Sequence, residues 1–292
     1  MAKIAVVGLG NIGTVFAAHL IAGSRHDVAA CVRQPVANLT VDSPAGRITA
    51  AVTCLTEPGA ARHAEWVLVC VKTQDTPTIA PWLAQLCTVE TRVVILQNGV
   101  DQEARVRPFC PRGSLIPTVV FTNSKRLGPG YVRHMRPEYD LAVPDSGDGR
   151  ALATLFECTD IRIQAAADFV TSAWRKFLIN LVANPLTAIA GRGIGVLRQP
   201  DMESLARELL REAVAVGKAA GAALHPDSPD EVLRWLAGFP GDTGTSMLED
   251  RQAGRFLEHA AITGTAVRLG REFNIPTPVN SIILALLRGL DP

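Results

Sequence analysis

The sequence has almost no charge of either sign to spare, with 29 Lys and Arg against 28 Asp and Glu in 292 residues. No global field draws it to nucleic acid or to an anionic membrane, so neither is an expected partner. The six cysteines (Cys31, Cys54, Cys70, Cys87, Cys110, Cys158) include no C-x-x-C pair. Several sit in apolar runs, where a thiol behaves as a small hydrophobe; this favours a reducing compartment, and no metal site is expected. Long hydrophobic runs are missing too: the longest late one, SIILALL, falls far short of a membrane span. The opening MAKIAVVGLG enters a strand pattern at once, with no room for a signal peptide. Internal repeats, low-complexity tracts and a Gly/Ser-rich linker are absent as well. What remains is a cytoplasmic chain whose partner is a small molecule.

The chain is 48% hydrophobic and 20% charged, an ordinary globular mixture. At roughly 150 residues per domain its length suggests two domains. From Lys3 to about Ile163, strand-like runs (KIAVVG, DVAACVR, EWVLVCVK, TRVVILQ) alternate with helical patterns at 11–23 and 76–87. Such alternation implies a parallel, doubly wound sheet. Between Gly113 and Val143, Gly and Pro divide GSLIPTVVFTN, GYVRHM and YDLAV, which suggests an antiparallel extension of that sheet. After Asp168 the strand signal stops, and 169–190, 201–221, 229–237 and 246–273 read as helices. The expected fold is therefore α/β: a Rossmann-type domain over 1–167, then an all-helical domain over 168–292.

Gly8, Leu9, Gly10, Asn11, Ile12 and Gly13 form G-L-G-N-I-G between the first strand and the first helix. Glycines there let the backbone turn tightly and approach a pyrophosphate seated on a helix N-terminus. About 20 residues on, an NAD-binding chain carries an acid for the ribose hydroxyls; here the second strand ends in Arg33 with no acid after it. Arg33 suits a 2′-phosphate, so NADP(H) is the inferred cofactor, although a solvated surface Arg is the commoner fate of that residue type. Two more strands end in Lys72 and in Asn98-Gly99, at the carboxyl edge where ligands bind. Taken singly, each is equally well a solvated strand end or a turn.

In WRKFLINLVANPLTA, Lys176, Asn180 and Asn184 recur every four residues on an otherwise apolar helix. They fall within about 80° of arc and some 12 Å of axis, a polar stripe whose burial without partners would cost several kcal/mol in all. Hydrogen bonds to a neighbouring helix are one account; a wall facing a ligand is the other, and it explains all three at once. A second stripe, Ser246, Asp250, Gly254 and Glu258, lies in SMLEDRQAGRFLE. Ser246 with Glu249 forms a capping box, which would account for the serine but not for Glu258.

With these motifs the chain resembles the ketopantoate reductases (2-dehydropantoate 2-reductases), NADPH-dependent enzymes of pantothenate synthesis. The likeness runs over nearly the whole length and rests on GLGNIG, VK at 71–72, QNG at 97–99, WRKFLINLVANPLTAI and SMLEDRQAGRFLE. It implies that Lys176 is the catalytic acid and that Glu258 supports both it and the cofactor. It implies substrate or nicotinamide contacts from Asn98, Asn180, Asn184 and Ser246, and cofactor contacts from Arg33, Lys72 and Thr122. Two departures stand out: Ile194-Gly195 where some members carry Asn-Gly, and Thr263 near where the family often has Asn.

The implied reaction is reduction of ketopantoate to pantoate in a cleft between sheet and helices. A hydride arrives from NADPH while Lys176 protonates the oxygen. Rival readings are a reductase of another branched 2-oxo acid, a β-hydroxyacid dehydrogenase-like enzyme, which leaves Asn184 and the 246–258 module unexplained, and a non-catalytic NADPH sensor. The expected partners are a 2-oxo acid and, at most, a second copy of the chain.

Overall fold

The computed structural model describes residues 1–23, 26–135 and 137–292. They divide into two compact units: Met1–Asn98 with Gln102–Phe169, and Gly99–Asp101 with Val170–Pro292.

The first unit is built on six parallel strands: β1 (Lys3–Val7), β2 (Asp27–Cys31), β5 (Thr53–Leu55), β6 (Trp66–Val69), β7 (Arg92–Ile95) and β8 (Ser114–Pro117). Their order is β5-β2-β1-β6-β7-β8. Strand alternation sends Ile4, Val6, Leu68 and Val94 to one face and Ala5, Val7, Val67, Val69 and Val93 to the other, and both faces are buried. On the first face lies α1 (Asn11–Gly23), whose residues Gly13 to Leu20 are all buried. A second, four-stranded sheet explains this. It contains β3 (Asn38–Ser43), β4 (Gly46–Ala51), β10 (Asn123–Gly128) and β11 (Tyr131–Met135), and it packs on α1 from the other side.

The antiparallel extension expected over 113–143 takes a different form. β8 joins the main sheet in parallel, while β10 and β11 make an antiparallel hairpin in the sheet over α1. β9 (Val119–Val120), β12 (Leu141–Pro144) and β13 (Ile163–Ala166) form a third sheet. The helix expected over 76–87 begins as a 3-10 turn, Thr73–Ile79, and becomes α-helical only in α2 (Ala80–Leu86). Pro77 lies inside the 3-10 stretch, where it has no N–H to donate. Two short helices, α3 (Gln102–Val106) and α4 (Gly147–Leu155), complete the unit.

The second unit holds α5 (Phe169–Ala190), α6 (Pro200–Ala219) and α7 (Ser228–Ala237), close to the expected spans, around a core that includes Leu178, Leu181, Leu209 and Leu210. The expected helix over 246–273 is two helices, α8 (Ser246–Gln252) and α9 (Thr263–Glu272). Gly254 ends the first at φ +62, a left-handed conformation suited to glycine at a helix C-terminus, and Arg255 N–H returns to the Asp250 carbonyl at 2.9 Å. The SIILALL run lies in a further helix, α10 (Pro278–Arg288). Its first turn is capped from outside: Glu212 on α6 accepts from the N–H groups of Val279 and Asn280 at 2.8 and 3.0 Å. Residues 99–101 count with this unit because Val100 packs on its core and Asp101 pairs with Arg268 at 2.7 Å.

Candidate active site

The glycine loop shows what each glycine is for. Gly8 has φ +95, and a Cβ there would stand 2.8 Å from Val71 Cγ1. At Gly13 a Cβ would stand 2.0 Å from the Gly8 carbonyl oxygen, so helix and strand meet this closely only because no side chain intervenes. Gly10 is different: nothing lies within 4 Å of its would-be Cβ. Two glycines build the turn, and the third leaves open the space a phosphate group would enter. Leu9 and Ile12 pack partly buried against the core, and Asn11 donates from Nδ2 to the Ser124 carbonyl at 3.0 Å, fixing the first turn of α1.

The other cofactor candidates lie past strand ends on the same carboxyl edge. Arg33, two residues after β2, is exposed. Lys72 follows β6 and begins the 3-10 turn; Asn98 follows β7 and precedes Gly99, at φ +102. Gln97 ties these loops together, a role the sequence reading missed although QNG was in view. Its Nε2 donates to the Val71 carbonyl and to Thr76 Oγ1, both at 3.0 Å. Arg105 Nη2 holds the Asn98 carbonyl at 2.7 Å.

Thr122 is buried and donates to the Asp140 carbonyl at 3.2 Å. Its neighbour Asp140 pairs with His134 at 2.8 Å and accepts from the Arg162 amide at 3.1 Å. Burial alone would raise the Asp140 pKa, but these contacts outweigh it and hold it low.

In the helical unit Lys176 and Asn180 are half-buried and Asn184 is buried on α5. Burial lowers the Lys176 pKa, which makes its proton easier to give up. Asn184 makes core hydrogen bonds: its Oδ1 accepts from the Ser246 hydroxyl at 3.1 Å and the Met247 N–H at 3.2 Å. It thereby holds the first turn of α8. The capping box expected at Ser246 is shifted by one residue, because Thr245 caps α8 by accepting from Leu248 N–H at 3.3 Å. The Ser246 hydroxyl is thus bound to the lysine helix, not spent on a cap.

The stripe Ser246–Asp250–Gly254–Glu258 does not exist as one helix face. Glu258 is buried beyond the end of α8, in the turn before α9, and Asp250 pairs with Arg255 at 2.9 Å. Ile194 is 6% exposed in the hydrophobic core. It also lines a cavity of about 340 Å³ with Leu197, Arg198, Arg207, Asp230 and Leu233, which includes none of the candidate site residues. Thr263 is fully buried at the start of α9, and its hydroxyl has no hydrogen-bond partner among the described residues.

Residues 4–146 match the family described as ketopantoate reductase PanE/ApbA, and residues 168–291 match the C-terminal part of the same family. The chain belongs to the ketopantoate reductase family. A 2-dehydropantoate 2-reductase of Caulobacter vibrioides is 38% identical over 290 residues, 99% of either chain. That of Mycobacterium tuberculosis is 34% identical over 286 residues, 97% of this chain and 96% of its own. A solved dimeric ketopantoate reductase from Staphylococcus aureus superposes with a TM-score of 0.87 at 26% identity, covering 99% of this chain and 98% of that one. In this chain of the oxidoreductase family, the first match takes in the loop from Gly8 to Gly13, and the second takes in the helix that carries Lys176.

Proposed function

We propose that this chain reduces 2-dehydropantoate (ketopantoate) to pantoate with NADPH, a step toward pantothenate and coenzyme A. The observation that carries this reading is the joined pair of motifs in the helical unit. Asn184 of the Lys176–Asn180–Asn184 stripe fastens the helix that presents Ser246. A β-hydroxyacid dehydrogenase-like reading leaves this coupling without a purpose.

The residues of the first unit fit NADP(H): an open backbone at Gly10, flanked by Leu9, Asn11 and Ile12 between Gly8 and Gly13, for the pyrophosphate, and exposed Arg33 for the 2′-phosphate. Lys72, Asn98 and Thr122 add contacts along the same bound molecule. NADPH, when bound, supplies the hydride. Lys176 holds a proton at the carbonyl oxygen of the 2-oxo acid and donates it as negative charge develops there; its lowered pKa suits a general acid. Glu258 keeps the ammonium in place. Asn180 and Ser246 align the substrate, with Asn98 and Asn184 completing the polar lining.

The test is direct. NADPH absorbance should fall on adding ketopantoate, and more slowly with other branched 2-oxo acids or 3-oxo acids. A chain that binds NADPH yet oxidises it with none of them is a sensor, and this reading is wrong. Among the described residues no helix is long and apolar enough to cross a membrane, and all six cysteines are free. A cytoplasmic setting agrees with both. We take a second copy of the chain as its partner, supported by the dimeric Staphylococcus aureus relative and by Ile282 and Leu286, exposed one turn apart on α10. Sedimentation showing only monomer at micromolar concentration would remove that partner.

A further inference from the structure

Glu258 stands in a stretch of chain with no regular structure of its own. α8 ends at Gln252 and α9 begins at Thr263, so no helical ladder fixes the backbone between them. The segment is held in other ways. Leu257 is buried, Ile262 N–H reaches the Glu258 carbonyl at 3.3 Å, and Gly264 N–H reaches that of His259 at 2.8 Å. A further clamp is a distant carboxylate. Asp291, after α10, accepts from Leu257 N–H through Oδ1 at 3.0 Å and pairs with His259 Nε2 through Oδ2 at 2.8 Å.

One side chain therefore grips the residues on both sides of Glu258 while leaving the glutamate itself to its own partners. His259 is mostly buried, and among the described residues its other ring nitrogen has no hydrogen-bond partner, so the bond to Asp291 orients the ring. We infer that Asp291 is a positioning residue for the reaction: by holding Leu257 and His259 it sets the place of the Glu258 carboxylate. This rests on the reading of Glu258 as the support of Lys176. A catalytic group serves only when its own backbone and neighbours are locked, and a displacement of about 1 Å can cost on the order of a hundredfold in rate.

The experiment is a double-mutant cycle on the full chain, following NADPH oxidation by ketopantoate. Asp291→Ala should lower kcat by roughly tenfold to a hundredfold and leave KM for ketopantoate within about twofold, since Asn180, Asn184 and Ser246 are untouched. Asp291→Asn, which keeps the acceptor for Leu257 N–H, should recover part of the loss and guards against a folding failure in the alanine variant. Combined with Glu258→Gln, Asp291→Ala should cost almost nothing further, because both changes act through one carboxylate. If the two losses multiply, or if folded Asp291→Ala turns over at the parent rate with only a lowered Tm, the inference is overturned. If Glu258→Gln alone is as fast as the parent, the reading of Glu258 is what fails.

Discussion

The glycines of the two candidate sites do different work, and the difference shows how each site is written. In the loop from Gly8 to Gly13 two glycines are demanded by contact or by positive φ and the third by empty space, so the first site is written in backbone. In the helical unit's candidate site the counterpart is Gly254: nothing lies within 4 Å of a Cβ built on it, and its φ of +62 stops α8. Glu258 then depends on a turn and on side chains far off in sequence. A backbone-written site survives exchange of its side chains but not of its glycines; a side-chain-written site behaves the other way round.

The largest expected effect tests that contrast in the helical unit. Lys176→Ala should lower kcat by at least about a hundredfold, the scale of a lost general acid, while NADPH affinity scarcely changes. Equal loss in both would break the comparison. Because burial lowers the Lys176 pKa and the ammonium is the form that carries the proton, parent kcat/KM should fall as pH rises. The fall should set in below the ordinary lysine range. A pH profile flat through that region would show that Lys176 gives up no proton.

Next come the glycines. Gly13→Ala should cost on the order of 1–3 kcal/mol of stability by overpacking, read as a lower Tm, along with weaker NADPH binding. Gly10→Ala should leave Tm almost unmoved and still weaken NADPH, since its methyl enters only open space. If both variants lose stability alike, the loop at Gly10 is structural and not a cradle.

Arg33→Ala isolates the side chain of the first site that is read as meeting the 2′-phosphate. It should weaken NADPH by roughly 1.5–3 kcal/mol in calorimetric titration and leave NADH nearly unchanged. The smallest effect is expected at Gly254→Ala, about 1–2 kcal/mol of stability from forcing a left-handed conformation on alanine. A thermal melt measures it, and a stabilised variant would mean that α8 is free to run on.

The sheet and glycine loop were legible because hydrophobic runs and backbone sterics are local: KIAVVG followed by GLGNIG leaves few other geometries. α5 was legible for the same reason, its apolar positions running unbroken through 22 residues. What escaped depends on distance. The strands β3 and β4 bury only some of their residues, against α1, so NLTVDS and GRITAA carry little pattern. The break between α8 and α9 was hidden because residues spaced by four continue across it, although the chain leaves the helix at Gly254 and resumes one only at Thr263. The bonds from Asn184 to Ser246 and Met247 escaped because those partners lie more than 60 residues away. Gln97 and Thr245 went unnoticed for a like reason: their hydrogen bonds become visible only once the loops are folded.

The excursion of residues 99–101 has a consequence for anyone who would take the protein apart. The polypeptide enters the helical unit twice, first for three residues and then for good after Phe169. A fragment cut at 167/168 would lack Val100 and the Asp101 that pairs with Arg268, so expressing the helical half alone means raising it with a hole in its surface. Chimeras between relatives meet the same difficulty: a crossover at the obvious border would graft one parent's tripeptide onto the other parent's helices, and the recombination site that respects this architecture has to carry that tripeptide along.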